Sequence, residues 1–283
     1  MFAVAASLVT VSALAAPTAV AAESVAKPTT AQLSKTNSAV LDANIGGTSW
    51  YTDAKSGKVV VTADTTVSAA EIAKIKKQAG ANAGNLQIKR VDAKINKMIA
   101  GGEAIYTAGA RCSLGFNTVR GGVYYALTAG HCTNLGASWT WSGGGGTRAA
   151  SVFPTYDHGV IQHSNAAQAD GRVYLYNGTY RDIVNAANPS VGQRIERSGS
   201  TTGYRTGVVQ ALNVTVNYGG GQVVYGLIQT TACAQPGDSG GPLFAGNTAL
   251  GLLSGGAGNC TSGGFTVHEP VTRPLSGYGL TII

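Results

Sequence analysis

Lysine is absent from the 283-residue chain beyond Lys97, which is the last of ten. The absence divides the chain. Of the formal net charge of +7, +5 belongs to residues 1–98 and only +2 to residues 99–283, where nine arginines face seven acids. A basic patch spread along a nucleic-acid or membrane surface is therefore not what the charge total describes. Charged residues are scarce at 12%, and the 40 glycines follow no Gly-X-Y period, which excludes a collagen. No Cys-x-x-Cys pair occurs among the four cysteines, so a structural zinc site is not expected. After residue 22 no apolar run is long enough to cross a bilayer, and after residue 99 no stretch keeps a helical period for three turns.

What is present begins with residues 3 to 22, almost all Ala, Val, Leu, Ser and Thr, ending in Val20-Ala21-Ala22. Small residues one and three positions before a cut are what a signal peptidase requires, so residues 1–22 read as a secretory signal. The basic stretch usual before such a run is missing. Pro17 and the Ala/Ser/Thr content argue against a membrane anchor. Residues 23–98 read as a small α+β domain. Val59–Thr62 and Leu86–Val91 predict strands, and Ser68 with Glu71 forms the spacing of a capping box before an amphipathic helix.

From residue 99 the texture is short β-rich runs, among them Tyr124–Thr128, Gly159–Ile161, Val208–Gln210, Val214–Val216 and Val223–Ile228. Turns separate them every 8 to 12 residues, which predicts an all-β sandwich or barrel. The run Gly143 to Gly146 reads as an exposed hairpin tip. Cys112, Cys132, Cys233 and Cys260 form an even set behind a signal. Their separations favour two local disulfides over the crossed pairings, each contributing about 3 kcal/mol.

Two segments carry chemistry: Thr128-Ala-Gly-His131-Cys132 and Gly237-Asp-Ser239-Gly-Gly-Pro242. A serine hydroxyl needs a base within reach and donors aimed at the developing oxyanion. The glycines allow the backbone N–H groups of Gly237 and Ser239 to converge. Gly-x-Ser-x-Gly also fits an α/β-hydrolase elbow, but that fold needs an acid and then a histidine after the serine. Only His268 follows Ser239, with no Asp or Glu between. The order His, acid, Ser survives, with Asp157, Asp170, Asp182, Glu196 and Asp238 as candidate acids.

The stretch from Ile99 onward resembles the secreted bacterial chymotrypsin-like serine proteases of the streptogrisin group, more distantly α-lytic protease. The resemblance rests on Ala104-Ile-Tyr, Arg111–Asn117, the His131 and Ser239 motifs, Arg197–Thr202, Thr215–Tyr218 and Ser254–Gly256. It implies His131 as general base, Ser239 as nucleophile, and Gly237 and Ser239 as oxyanion donors. Asp157 becomes the acid through Phe153-Pro-Thr-Tyr-Asp157-His-Gly, with His158 replacing an aromatic residue. Asp170 and Asp182 are then expected in solvated turns, and His158 and His163 at the surface. Asp238 is expected to pair with a buried Arg197.

The resemblance implies two six-stranded antiparallel barrels, residues 99–186 and 187–283, with the triad between them and no metal or organic cofactor. Ala234, Gln235, Pro236, Ser254, Gly255, Gly256, Phe265 and Thr266 are expected to wall an uncharged primary pocket accepting a large apolar side chain, with Phe265 limiting its depth. Ser254–Gly256 should pair with substrate backbone. A histidine matching His268 belongs to a glutamate-recognising cluster in one relative, but Leu243 and Leu253 stand at the companion positions, so His268 is expected to be a packed core residue. Maturation is expected between Met98 and Ile99, by the enzyme itself. Residues 23–98 would then be a pro-region that assists folding and inhibits the product. Expected partners are peptide or protein substrates and the pro-region, for a monomer outside the cell that binds no nucleic acid and, once processed, no membrane. The alternative is a catalytically silent or latent protease-like binding protein.

Overall fold

The computed structural model describes residues 27–283 apart from 93, 94, 96 and 97, and the expected signal segment lies outside the described residues. The chain separates into two compact units, parted between Ile95 and Asn96.

In the first unit, strands Thr48–Asp53 and Lys58–Ala63 pair antiparallel, and Leu86–Arg90 adds to the second of these in parallel. The expected strands at residues 59–62 and 86–91 are present. The central strand buries Val59, Val60 and Val61 in succession, the pattern of a strand covered on both faces. Helix Ala69–Ala79 starts at the expected capping box. The Ser68 hydroxyl accepts from Glu71 N–H, while the Glu71 carboxylate accepts from Ser68 N–H. A helix that the sequence reading does not mark, Thr30–Ala43, begins with the same device at Thr29 and Gln32. Val40, Ala43, Val59, Val61 and Ile75 form the core.

The second unit is mostly β. One eight-stranded array runs Thr281–Ile282, Asn117–Arg120, Val123–Thr128, His158–His163, Gly144–Val152, Ser138–Trp141, Ala104–Thr107, Ala110–Ser113. Between Ala110–Ser113 and Asn117–Arg120 the chain bends back so that Gly115 N–H donates to Leu127 O and Leu127 N–H to Phe116 O. Alternating burial along Ser138–Trp141 puts Trp139 and Trp141 inward with Ile105, Leu114, Ala126 and Ile161. The second sheet runs Asn185–Ala186, Thr248–Asn259, Pro242–Ala245, Arg194–Arg197, Arg205–Asn217, Val223–Thr230, Gly263–Pro270. The last of these pairs back with Thr248–Asn259 and closes a six-stranded barrel. The two runs expected at 208–210 and 214–216 are one 13-residue strand interrupted by bulges rather than two strands, which lets it curve around the barrel. A third, small sheet sets Ile99–Gly101 parallel to Ala169–Tyr174. In the expected hairpin tip, only the turn at Ser142-Gly143 is loop; Gly144–Gly146 are paired strand.

Candidate active site

His131 sits in a one-turn helix, Gly130–Thr133, at the end of strand Val123–Thr128. Close packing dictates the residue before it. A side chain at Gly130 would strike the backbone of Val152 and His158. The Cys112–Cys132 disulfide ties this turn to strand Ala110–Ser113, and Cys233–Cys260 ties residue 233 to the loop after Thr248–Asn259, so both expected pairings are present.

Asp157 is fully buried just before strand His158–His163. Its carboxylate accepts His131 N–H at 2.9 Å on one oxygen. On the other oxygen it meets His131 Nδ1 at 2.8 Å and accepts the Ser254 hydroxyl at 2.5 Å. Tyr218 OH in turn lies 2.9 Å from Ser254 Oγ. The Ser254 side chain therefore serves the acid, a role beyond the expected places in the pocket wall and on the substrate-pairing edge. From behind, Glu269 Oε2 accepts Asp157 N–H at 3.4 Å, and Glu269 Oε1 binds His158 Nδ1 at 3.0 Å and Arg273 Nη1 at 2.7 Å.

Ser239 lies on the loop leading into strand Pro242–Ala245. Gly237 takes φ +98°, and a side chain there would run into Thr201 Oγ1 and the Arg111 guanidinium. The N–H groups of Gly237 and Ser239 have no acceptor among the described residues, and Ser239 Oγ has no hydrogen-bond partner there. Asp238 points the other way into the protein. It accepts from Thr201 N–H, Thr202 N–H, Thr202 Oγ1 and Gln235 N–H at 2.6 to 3.0 Å. Arg197 Nη2 is 3.3 Å away, and both side chains are excluded from solvent. Burial would push the Asp238 carboxyl up, but the Arg197 charge and these hydrogen bonds outweigh it and hold it below the usual carboxylate range. Arg197 Nη1 donates to Thr202 Oγ1 and Cys233 O at 2.7 Å, while the buried Nε has no partner among the described residues.

Ser239 opens on a cavity of about 290 Å3 lined by Ala234, Gln235, Pro236, Leu253, Gly255, Gly256 and Gly258, none of them charged. His131 opens on another, of about 460 Å3, whose walls include Phe153, Tyr218 and Ser254. Ser254, expected in the wall of the Ser239 cavity, lines the His131 cavity instead, because its hydroxyl turns to Asp157, while Leu253 and Gly255 on either side of it line the first. Beyond Leu253, whose N–H donates to Gly241 O, the strand edge facing away from Gly263–Pro270 has no strand partner among the described residues.

Several expected placements are corrected. Phe265 does not line the Ser239 cavity: it pairs opposite Ala257 near the hairpin end and is 37% exposed. Thr266, its neighbour on the opposite face, is buried and bonds Thr230 Oγ1 and His268 Nε2 at 2.8 and 2.9 Å. Leu253 and Gly258 take their places in the wall. His158 and His163 are buried rather than superficial, because Glu269 binds the first and Asn117 Oδ1, at 2.7 Å, the second. Asp170 is no solvated turn residue either. It is buried in strand Ala169–Tyr174, and Arg172 clasps it with two side-chain donors at 2.9 and 2.7 Å. Asp182, at the end of a short strand, is exposed as expected. His268 is fully buried.

A buried acid holding a histidine turn, a glycine-bounded serine and a closed six-stranded barrel are the parts of a trypsin-type serine protease. Residues 99–276 match the family described as Trypsin and residues 29–83 the one described as Alpha-lytic protease prodomain. The chain belongs to the trypsin family of serine proteases, in its streptogrisin group, and is made with a pro-region. Streptogrisin-A of Streptomyces griseus is 57% identical over 261 residues, which cover 92% of this chain and 86% of that protein. Glutamyl endopeptidase 2 of the same organism is 50% identical over 187 residues, 65% of this chain and 99% of that one. Among solved structures, a glutamic acid-specific serine protease that uses a histidine triad in substrate binding superposes with TM-score 0.63 at 49% identity, covering 65% of this chain and all of that one. An alpha-lytic protease homologue, N4, gives 0.60 at 39% identity, covering 66% and 100%. The expected streptogrisin resemblance and serine-protease activity are borne out, and nothing in these relatives supports the silent alternative.

Proposed function

We propose that the chain is a secreted, monomeric serine endopeptidase that processes itself and cleaves after large apolar residues. The observation that carries the reading is the pairing of the buried Asp157–His131 unit with an uncharged cavity at Ser239. Ser239 Oγ attacks the scissile carbonyl as His131 Nε2 takes its proton. Asp157 keeps His131 in the tautomer with the proton on Nδ1 and stabilises the imidazolium. The free N–H groups of Gly237 and Ser239 receive the oxyanion. His131 then protonates the leaving amine, and water, deprotonated by the same histidine, releases the acyl group from Ser239. The open strand edge at Ser254–Gly256 pairs with the substrate backbone.

An uncharged, glycine-rich wall favours an apolar side chain and offers a carboxylate nothing to pair with. No histidine lines this cavity to serve as a counterpart of the histidine triad of the glutamate-specific relative, and His268 is fully buried on Thr266 Oγ1. Met98, before the inferred maturation cut at Ile99, suits such a pocket. On this reading residues 1–22 are the export signal, 23–98 the pro-region, and 99–186 and 187–283 the two halves of the enzyme.

A serine-directed phosphonate should modify Ser239, and digestion of an unstructured protein should give cuts after Phe, Tyr, Leu or Met. Cuts after Glu or Lys would refute the pocket assignment. Ser239→Ala should accumulate as uncut precursor; normally processed Ser239→Ala would refute self-processing.

A further inference from the structure

Met98 is 57% exposed, whereas Ile99, Ala100 and Gly101, which follow it, are buried in the short strand beside Ala169–Tyr174. Asn117 holds that strand. Its Nδ2 donates to Ile99 O at 2.7 Å and to Asp170 O at 2.9 Å, and His163 Nε2 on its Oδ1 fixes the amide's orientation. One residue on, Ala100 N–H donates to Glu103 Oε2 at 2.6 Å. Ile99 N is about 3.5 Å of backbone from Ala100 N. Glu103 is half-buried, and no cation among the described residues makes an ion pair with it. A cavity of about 200 Å3 beside it is bounded by Met98, Ile99, Ser142, Tyr174 and Tyr176. Of the other titratable groups around it, Asp170 is already paired with Arg172 at 2.7 Å and Tyr176 OH is committed to Gly102 O at 2.8 Å, and Tyr174, Tyr180 and Tyr106 bring phenol rings but no cation. Asp238 already has Arg197, so nothing at the oxyanion loop calls for an amino terminus.

We propose that Glu103 is the binding site for the α-ammonium group of Ile99 released by maturation. The proposal rests on Met98–Ile99 being the bond that is cut. Hydrolysis adds the oxygen of water to the Met98 carbonyl carbon and breaks the C–N bond. The Ile99 nitrogen leaves with its own hydrogen and takes up two protons at neutral pH. A neutral amide thus becomes a cation with three donors beside a half-buried carboxylate, which pins the strand Ile99–Gly101. Burial, together with the Asp170 charge, holds the Glu103 carboxyl above its usual range against the pull of Ala100 N–H, so an added cation there meets a group that gains from it.

The absence of lysine after Lys97 makes the test direct, because the mature enzyme would carry one amine. Phosphonate-inactivated mature enzyme is sequenced from its amino terminus, reductively methylated with 13C-formaldehyde and titrated by NMR, with the urea-unfolded protein as reference. A nearby carboxylate raises an amine's pKa and burial without a partner lowers it, so the direction decides. The folded signal is expected at least about one pH unit above the ordinary value of about 7.7 to 8.0. Glu103→Gln should abolish the rise, and Asp170→Asn should keep most of it. A start at Ile99 with no upward shift, or a shift that survives Glu103→Gln, overturns the Glu103 assignment alone. A start elsewhere overturns both the cut position and the site. Should Glu103→Gln fail to fold, the wild-type titration against its unfolded reference and the smaller rise expected in Glu103→Asp still decide.

Discussion

Asp157 and Asp238 are both fully buried within the same site, yet Asp238 faces a permanent cation in Arg197, whereas Asp157 faces His131, whose charge comes and goes. Four donors besides Arg197 converge on Asp238, and three groups, including the histidine itself, on Asp157. The first carboxylate is neutralised at all times and acts as a brace for the oxyanion loop. The second is solvated by donors that leave room for one more positive charge, the one that the reaction creates. The buried imidazoles His163 and His268 complete the contrast. Neither has a carboxylate partner, each has an unpaired Nδ1, and burial pushes them down to about 4 and about 3.

The sharpest way to break this comparison is to remove each carboxylate's charge. Asp157→Asn should leave the fold intact and lower kcat by about 10^4-fold, because the amide favours the wrong imidazole tautomer. Circular dichroism and steady-state kinetics check both halves; an equal loss of stability would erase the distinction. Asp238→Asn should do the opposite, costing about 3 to 5 kcal/mol of stability by stranding a buried guanidinium, as read by urea unfolding. Next come the imidazoles. With an unfolded value of about 6.5 against about 4 when folded, His163 binds its proton more tightly unfolded, so its stabilising contribution is complete above pH 6.5 and disappears as pH falls through 4. That amounts to about 3 kcal/mol, and His268 adds to it in the same direction down to about pH 3. The inactivated enzyme should therefore melt lower at pH 4.5 than at pH 7, and His163→Gln should flatten part of that slope; a slope unchanged in the variant would contradict the assignment. The smallest effect is expected from Ser254→Ala, which removes one charge-assisted hydrogen bond from Asp157 worth about 1.5 to 3 kcal/mol. Its kcat should fall by roughly ten-fold or more with KM little changed.

The legible parts of the site are those whose chemistry is local in the chain. Thr128–Cys132 and Gly237–Pro242 carry their glycines, nucleophile and base within a few residues, and the spacing of the cysteines favours the pairing found. Asp157 needed the family resemblance, because five acids lie between the histidine and the serine and nothing local marks the one that meets His131. The histidines expected at the surface were misplaced for the same reason. His158 is buried by a carboxylate 111 residues away and His163 by an amide 46 residues away, and polar neighbours in sequence disguise both. Helix Thr30–Ala43 was readable in principle from Thr29 and Gln32, but its mixed polar composition masks the apolar stripe at Leu33, Val40 and Ala43. The pocket wall failed at Phe265 because face alternation in a strand is fixed by register, and a bulge between Leu253 and Gly255 shifts that register.

The cation that braces Asp238 comes from residue 197, inside the catalytic unit, and so owes nothing to a freed amino terminus. Folding alone completes the oxyanion loop, and no later event is left to switch it on. The brace of the oxyanion loop is thus indifferent to the state of the chain's amino end, and cannot by itself be what distinguishes precursor from product.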